Sequence, residues 1–168
     1  MKISIIPLFL LAFGVASISM ADPKSKPTPT PIPTPPPIPI SYLPFAIVAP
    51  GTYVLTGNLS YLGTDSVNPV AIGINVPLGG LGGAVIIDFK GFTITDTTTS
   101  SRSEGIRVTS DTPIQYPITI RNGTLVSFNW GVYDLNISGI TINNMTFNNV
   151  STPLQIDNPN TIINNCNF

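Results

Sequence analysis

Ile118-Thr119-Ile120-Arg121-Asn122-Gly123-Thr124-Leu125 is a phrase that the chain states, with variations, three more times: Ile87 to Ile94, Ile140 to Phe147 and Thr161 to Phe168. Aligned on their fifth position, the copies place Gly91, Asn122, Asn144 and Asn165 in one column. These residue types tolerate the left-handed backbone of a sharp bend. Before the bend, Ile87 and Phe89, Ile118 and Ile120, Ile140 and Ile142, and Thr161 and Ile163 alternate with Asp88, Thr119, Thr141 and Ile162. That is strand periodicity with one side buried. After the bend come Ile94, Leu125, Phe147 and Phe168, so each copy reads as strand, bend, strand.

A weaker motif precedes each copy: Ala71-Ile72-Gly73-Ile74, Gly105-Ile106-Arg107-Val108, Gly131-Val132-Tyr133-Asp134 and Pro153-Leu154-Gln155-Ile156. Three strands per repeat therefore recur. The bend column is spaced 31, 22 and 21 residues apart, and repeats of that length built from short strands imply stacking of equivalent strands. Parallel stacking would run the inward Ile, Val, Leu and Phe into ladders and let equivalent asparagines hydrogen-bond along the axis. The expected fold is all-β: a parallel β-helix, or solenoid, of about four coils.

Met1-Lys2, the apolar run Ile5 to Ile18 and Ser19-Met20-Ala21 have the three regions of a secretory signal peptide, so residues 1–21 are expected to be removed after Ala21. The apolar run is short for a spanning helix, which needs roughly 20 residues, so no stable membrane insertion is expected after cleavage. Secretion, to a periplasm or a cell surface, is the expected localisation. Residues 22–42 form a proline-rich linker, extended in polyproline II and reaching roughly 50 Å at about 3.1 Å per residue. Residues 43–168 make one domain. Only 9% of the chain is charged and the formal net charge is −1, which leaves no basic footprint for nucleic acid. Cys166 is the sole cysteine, so no intrachain disulfide is available, and it reads as a small packed hydrophobe.

The repeat, the Asn column and the phrases Pro50-Gly51-Thr52-Tyr53-Val54-Leu55 and Ile87-Asp88-Phe89-Lys90-Gly91-Phe92-Thr93-Ile94 together resemble the pectin-lyase-like, right-handed parallel β-helix superfamily over about residues 48 to 168. In that superfamily many members cleave or bind acidic polysaccharides along one exterior strand face. The resemblance implies that the weaker motif forms this face, with Gly73, Arg107, Tyr133 and Gln155 outward. An arginine pairs with a carboxylate, an aromatic ring stacks on a sugar face and a Gln amide reaches hydroxyls. The connection from Asp96 to Glu104 would add Arg102 and Glu104. Arg107, Tyr133, Gln155, Arg102 and Glu104 are thus the candidate carbohydrate-binding residues.

Catalysis asks for more than such a surface. A hydrolase needs two carboxyls at roughly 5 to 9.5 Å, and a lyase a base, usually with a cation held by clustered carboxylates. There is no His, and the acids are scattered. Glu104, Asp134 and Asp157 stand at similar points of successive repeats, so Asp134 and Asp157 are the weak candidates for a Ca²⁺ site beside Arg107. No residue is singled out as catalytic. Arg121 is expected to stack on Lys90 as a like-charge, solvated pair.

The chain stops at Phe168, just after a bend, and the expectation is a member shortened relative to longer relatives. An open last coil exposing Ile163 and Phe168 would offer an edge for homo-oligomerisation. The expected function is a secreted or cell-surface module that binds polysaccharide or is structural, without catalysis. A polysaccharide lyase or glycoside hydrolase is the first alternative, and an adhesive or filament subunit associating through the C-terminal coil the second.

Overall fold

β-Branched residues alternating with polar ones build only extended segments here. The computed structural model describes residues 34–63, 69–76, 81–98, 100–114, 116–137, 139–157 and 160–168; the expected signal peptide and the linker up to residue 33 lie outside the described residues. Among the described residues there are thirteen strands and no helix. They are β1 (Ile38–Ile40), β2 (Phe45–Ile47), β3 (Gly51–Leu55), β4 (Leu59–Tyr61), β5 (Val70–Val76), β6 (Val85–Asp88), β7 (Thr93–Asp96), β8 (Glu104–Ile114), β9 (Ile118–Val126), β10 (Trp130–Ile137), β11 (Ile140–Asn148), β12 (Thr152–Ile156) and β13 (Ile162–Asn164).

The strands form two sheets. The larger runs β1-β3-β6-β9-β11-β13, with β4 and β7 pairing alongside and β7 joining β9; the smaller runs β12-β10-β8-β5-β2. Pairing is parallel throughout. The chain visits the sheets in turn, from β2 to β3 and β4, β5 to β6 and β7, β8 to β9, β10 to β11, and β12 to β13. These are five passes rather than the four legible as repeats, because the first, from β2 to β4, lacks the bend phrase. The composition boundary at residue 42 also moves: Ile38–Ile40, read as linker, forms β1, pairs with Tyr53 to Leu55, and buries Ile40 completely.

Parallel stacking aligns like residues between the sheets. The smaller sheet contributes the inward column Phe45, Ile72, Ile106, Val132 and Leu154. The larger sheet contributes Tyr53, Ile87, Ile120, Ile142 and Ile163, and beside it Leu59, Ile94, Leu125 and Phe147. Ile72, Ile87, Ile106, Ile120, Ile142 and Leu125 are fully buried. At about 1.5–3 kcal/mol per buried aliphatic side chain, these ladders dominate the stabilisation.

The bend column appears with the expected geometry. Asn122, Asn144 and Asn165 have φ of 60°, 52° and 51°, and Gly91 has φ of 85°. Asn144 Nδ2 donates to Asn122 Oδ1 at 3.1 Å, and Asn122 Nδ2 to Asp88 Oδ1 at 3.2 Å. The first copy, however, is two residues out of the expected alignment. Thr93 and Ile94 do pair with Thr124 and Leu125, but Ile87 pairs with Ile120 and Asp88 with Arg121. Two extra residues are absorbed at the bend, where Lys90 also adopts positive φ (55°). The enlarged bend drives Phe89 into the core above Gly123; a Cβ on Gly123 would lie 2.2 Å from Phe89 Cβ.

This register overturns the like-charge reading of Lys90 and Arg121. Arg121 Nε donates to Asp88 Oδ2 at 3.0 Å, and the Lys90 backbone N–H donates to Asp88 Oδ1 at 2.9 Å. Burial raises the Asp88 carboxyl's pKa, but the Lys90 amide, the Asn122 side chain and Arg121 together outweigh it and hold the pKa below its ordinary value. Cys166 packs partly buried against the core, as its column suggested. Ile163 and Phe168 are 45% and 63% exposed, and the Phe168 ring stacks on Phe147 with centroids 5.4 Å apart.

Candidate functional site

On the outer side of the smaller sheet, one column runs Ala46, Gly73, Arg107, Tyr133 and Gln155, each in direct register with the next. Four of these are the outward residues of the weaker motif, and the structure brings them together as expected. A second column lies three residues earlier on each strand: Val70, Glu104, Trp130 and Thr152. By strict alternation with Ile106 and Val132, Glu104 and Trp130 would point into the core. They do not, and glycine is the reason.

Gly105 and Gly131 both follow those residues, and both face the interior. A Cβ on Gly105 would lie 2.7 Å from Gly131 O and 2.9 Å from Leu125 Cδ1; one on Gly131 would lie 2.4 Å from Pro153 O and 2.7 Å from Phe147 Cδ1. The strand therefore bends at a point where two successive residues face inward, which turns the preceding side chain outward. Backbone bonds fix the bend: Glu104 N–H donates to Pro69 O at 2.8 Å and Trp130 N–H to Ser103 O at 2.9 Å. The buried Ser103 Oγ also accepts from the Asn129 N–H at 3.2 Å, so the start of β10 is held from two sides.

The two columns line a groove of about 470 Å³ whose walls are Arg102, Glu104, Arg107, Thr109, Trp130, Tyr133 and Gln155. Glu104 is buried, and its two carboxylate oxygens accept from Nε and Nη2 of Arg107 in a side-on fork. The Arg107 guanidinium lies 6.0 Å from the centre of the Tyr133 ring, and the Trp130 and Tyr133 rings are 6.0 Å apart, tilted by 56°. Arg102 and Gln155 are exposed at the rim. Thr109 hydroxyl donates to Asn75 Oδ1 at 3.2 Å and extends one wall. No family model matches this chain, and neither a curated protein nor a solved structure does.

All five sequence-derived binding candidates line it. The acids expected at similar points of successive repeats do not assemble. Asp134 stands in the inward column with Ile74, Val108 and Ile156 and is 1% exposed, while Asp157 is exposed beyond β12. Alternation along β10 puts Asp134 inside, whereas the bend at Gly105 turns Glu104 outward, so Asp134 and Glu104 lie on opposite faces of the sheet. Among the described residues no three His, Cys, Asp or Glu side chains are grouped to hold a metal ion. Glu104 is, among the described residues, the only carboxylate lining the groove.

Sequence reasoning took Trp130 for an outward residue without a role, and it missed Thr109. Trp130 had a signal: Glu104-Gly105-Ile106-Arg107 and Trp130-Gly131-Val132-Tyr133 are the same four-residue phrase, extended one residue before the glycine. Thr109 had none, because its place depends on the pleat of β8 continuing past Arg107.

Proposed function

We propose that this chain is a secreted or cell-surface parallel β-helix of five coils whose groove binds polysaccharide without cleaving it. Each pass through the two sheets is one coil, and in-register parallel pairing on both sheets supports that reading. The resemblance to pectin-lyase-like proteins supports the same face as the binding face. Secretion rests on the signal-peptide pattern of residues 1–21.

The observation that carries the binding role is the aromatic pair Trp130 and Tyr133 beside Arg107 and Gln155 in one open groove. Tilted rings offer apolar faces to the C–H side of a sugar, and the guanidinium and amide reach hydroxyls at its edge. The non-catalytic role rests on Glu104. A glycosidase needs a second carboxyl at about 5 to 9.5 Å, and the one carboxylate that lines this groove among the described residues already accepts both bonds from Arg107.

The test is retention of the full chain on neutral and acidic polysaccharides, with reducing-end release measured on the same samples. Retention that falls at least tenfold in Trp130→Ala, roughly the loss of a hot-spot aromatic, is the expected result. New reducing ends that vanish in Arg107→Ala would replace this reading with the lyase or hydrolase one.

A further inference from the structure

We infer that the groove prefers an uncharged glycan to a uronate-rich one, because Glu104 neutralises the arginine that would otherwise receive a carboxylate. This rests on the saccharide-binding reading above and names its ligand class. A guanidinium has five N–H donors. Two of those on Arg107, at Nε and Nη2, point at Glu104, whose side chain is 5% exposed against 23% for that of the arginine. The side-on fork that would grip an incoming carboxylate is occupied from within the protein. The donors left over can still bond sugar hydroxyls, but they belong to a pair with no net charge.

A glycan carboxylate entering the groove would meet the Glu104 charge directly behind the guanidinium. Its attraction to Arg107 and repulsion from Glu104 largely cancel, while its desolvation cost remains. The other cation, Arg102, is exposed at the rim, where salt screens its field within about 10 Å at 0.1 M. Trp130 and Tyr133 supply an attraction that needs no charge on the sugar. The face of Tyr133 nearest Arg107 is taken by the guanidinium, so Trp130 is the principal platform. Gly73, next to Arg107 in the column, carries no side chain that could compete for the guanidinium.

The experiment is affinity electrophoresis of the full chain against neutral β-glucan, xylan, mannan and galactan, and against polygalacturonate and alginate, at about 50 mM and about 500 mM salt. Retention by a neutral polymer that changes less than about twofold with salt, with weaker retention by both acidic ones, is the expected result. Stronger retention by an acidic polymer that collapses at high salt overturns the inference and leaves saccharide binding intact. A folded sample retained by nothing overturns the saccharide reading, and this inference with it. Glu104→Gln should expose the Arg107 charge and raise retention by polygalacturonate about tenfold at low salt. A folded Glu104→Gln protein with unchanged preference overturns the role given to Glu104. If that variant does not fold, the salt response of the unaltered chain decides the question.

Discussion

The bend column of the larger sheet and the groove column of the smaller one are stacked by the same parallel register, yet they are filled on opposite principles. In the bend column the passes after Gly91 repeat one residue, Asn122, Asn144 and Asn165, and the Asn144 and Asn122 amides bond each other and end on Asp88. In the groove column successive passes differ: Gly73, Arg107, Tyr133 and Gln155. A repeated polar residue at a fixed register satisfies its own neighbours and leaves nothing over for a ligand. A column of unlike residues cannot satisfy itself by repetition, so its donors and ring faces are directed outward. In a stacked fold, the architecture is where the sequence repeats and the site is where repetition lapses while the register continues.

The core both columns share should show the largest stability effect. Ile120→Ala removes a fully buried rung between Ile87 and Ile142 and is expected to cost about 2–5 kcal/mol in denaturant unfolding, without altering glycan binding by the folded fraction. Next is Gly131→Ala, which forces a methyl against Pro153 O and Phe147. About 1–3 kcal/mol of overpacking is expected together with weaker glycan retention, since relief of the clash displaces Trp130. Retained binding at reduced stability would separate the bend from the groove and sink the account of how Trp130 is aimed.

A smaller loss is expected for Asn144→Ala, which removes the bond to Asn122 and places alanine at a φ of 52°. About 1–2 kcal/mol of stability should go, and glycan binding should be unchanged. Loss of binding there would dissolve the distinction between the two columns. The mildest effect is acid sensitivity from Asp88. Its folded pKa lies below its ordinary 3.8, so its stabilisation is fully present above that value and is lost as pH falls through the lower folded pKa. Asp88→Asn should therefore flatten the decline of stability below about pH 4, read from unfolding midpoints, while leaving the groove unaffected.

Much of this was legible without coordinates, for local reasons. Asn122, Asn144 and Asn165 mark bends because their backbone preference is a property of the residue. Arg107, Tyr133 and Gln155 were placed on one face because alternation with Ile106, Val132 and Leu154 holds over the few residues involved. The two-residue offset of the first copy was invisible for the same reason: with a period of two, Ile87 beside Ile118 and Ile87 beside Ile120 present identical faces. Only the stack distinguishes them, through Phe89 filling the space that Gly123 leaves and Asp88 meeting Arg121.

By itself, then, the sequence determined that this chain folds as strands stacked through an asparagine bend, and that Arg107, Tyr133 and Gln155 share an outer column, since both follow from short-range periodicity. The tertiary structure alone supplied the reason that Glu104 and Trp130 face outward against the alternation of their strands. Their orientation depends on Gly105 and Gly131 meeting Leu125 and Phe147, residues of the opposite sheet, and no local pattern carries a collision between segments that only the fold brings together.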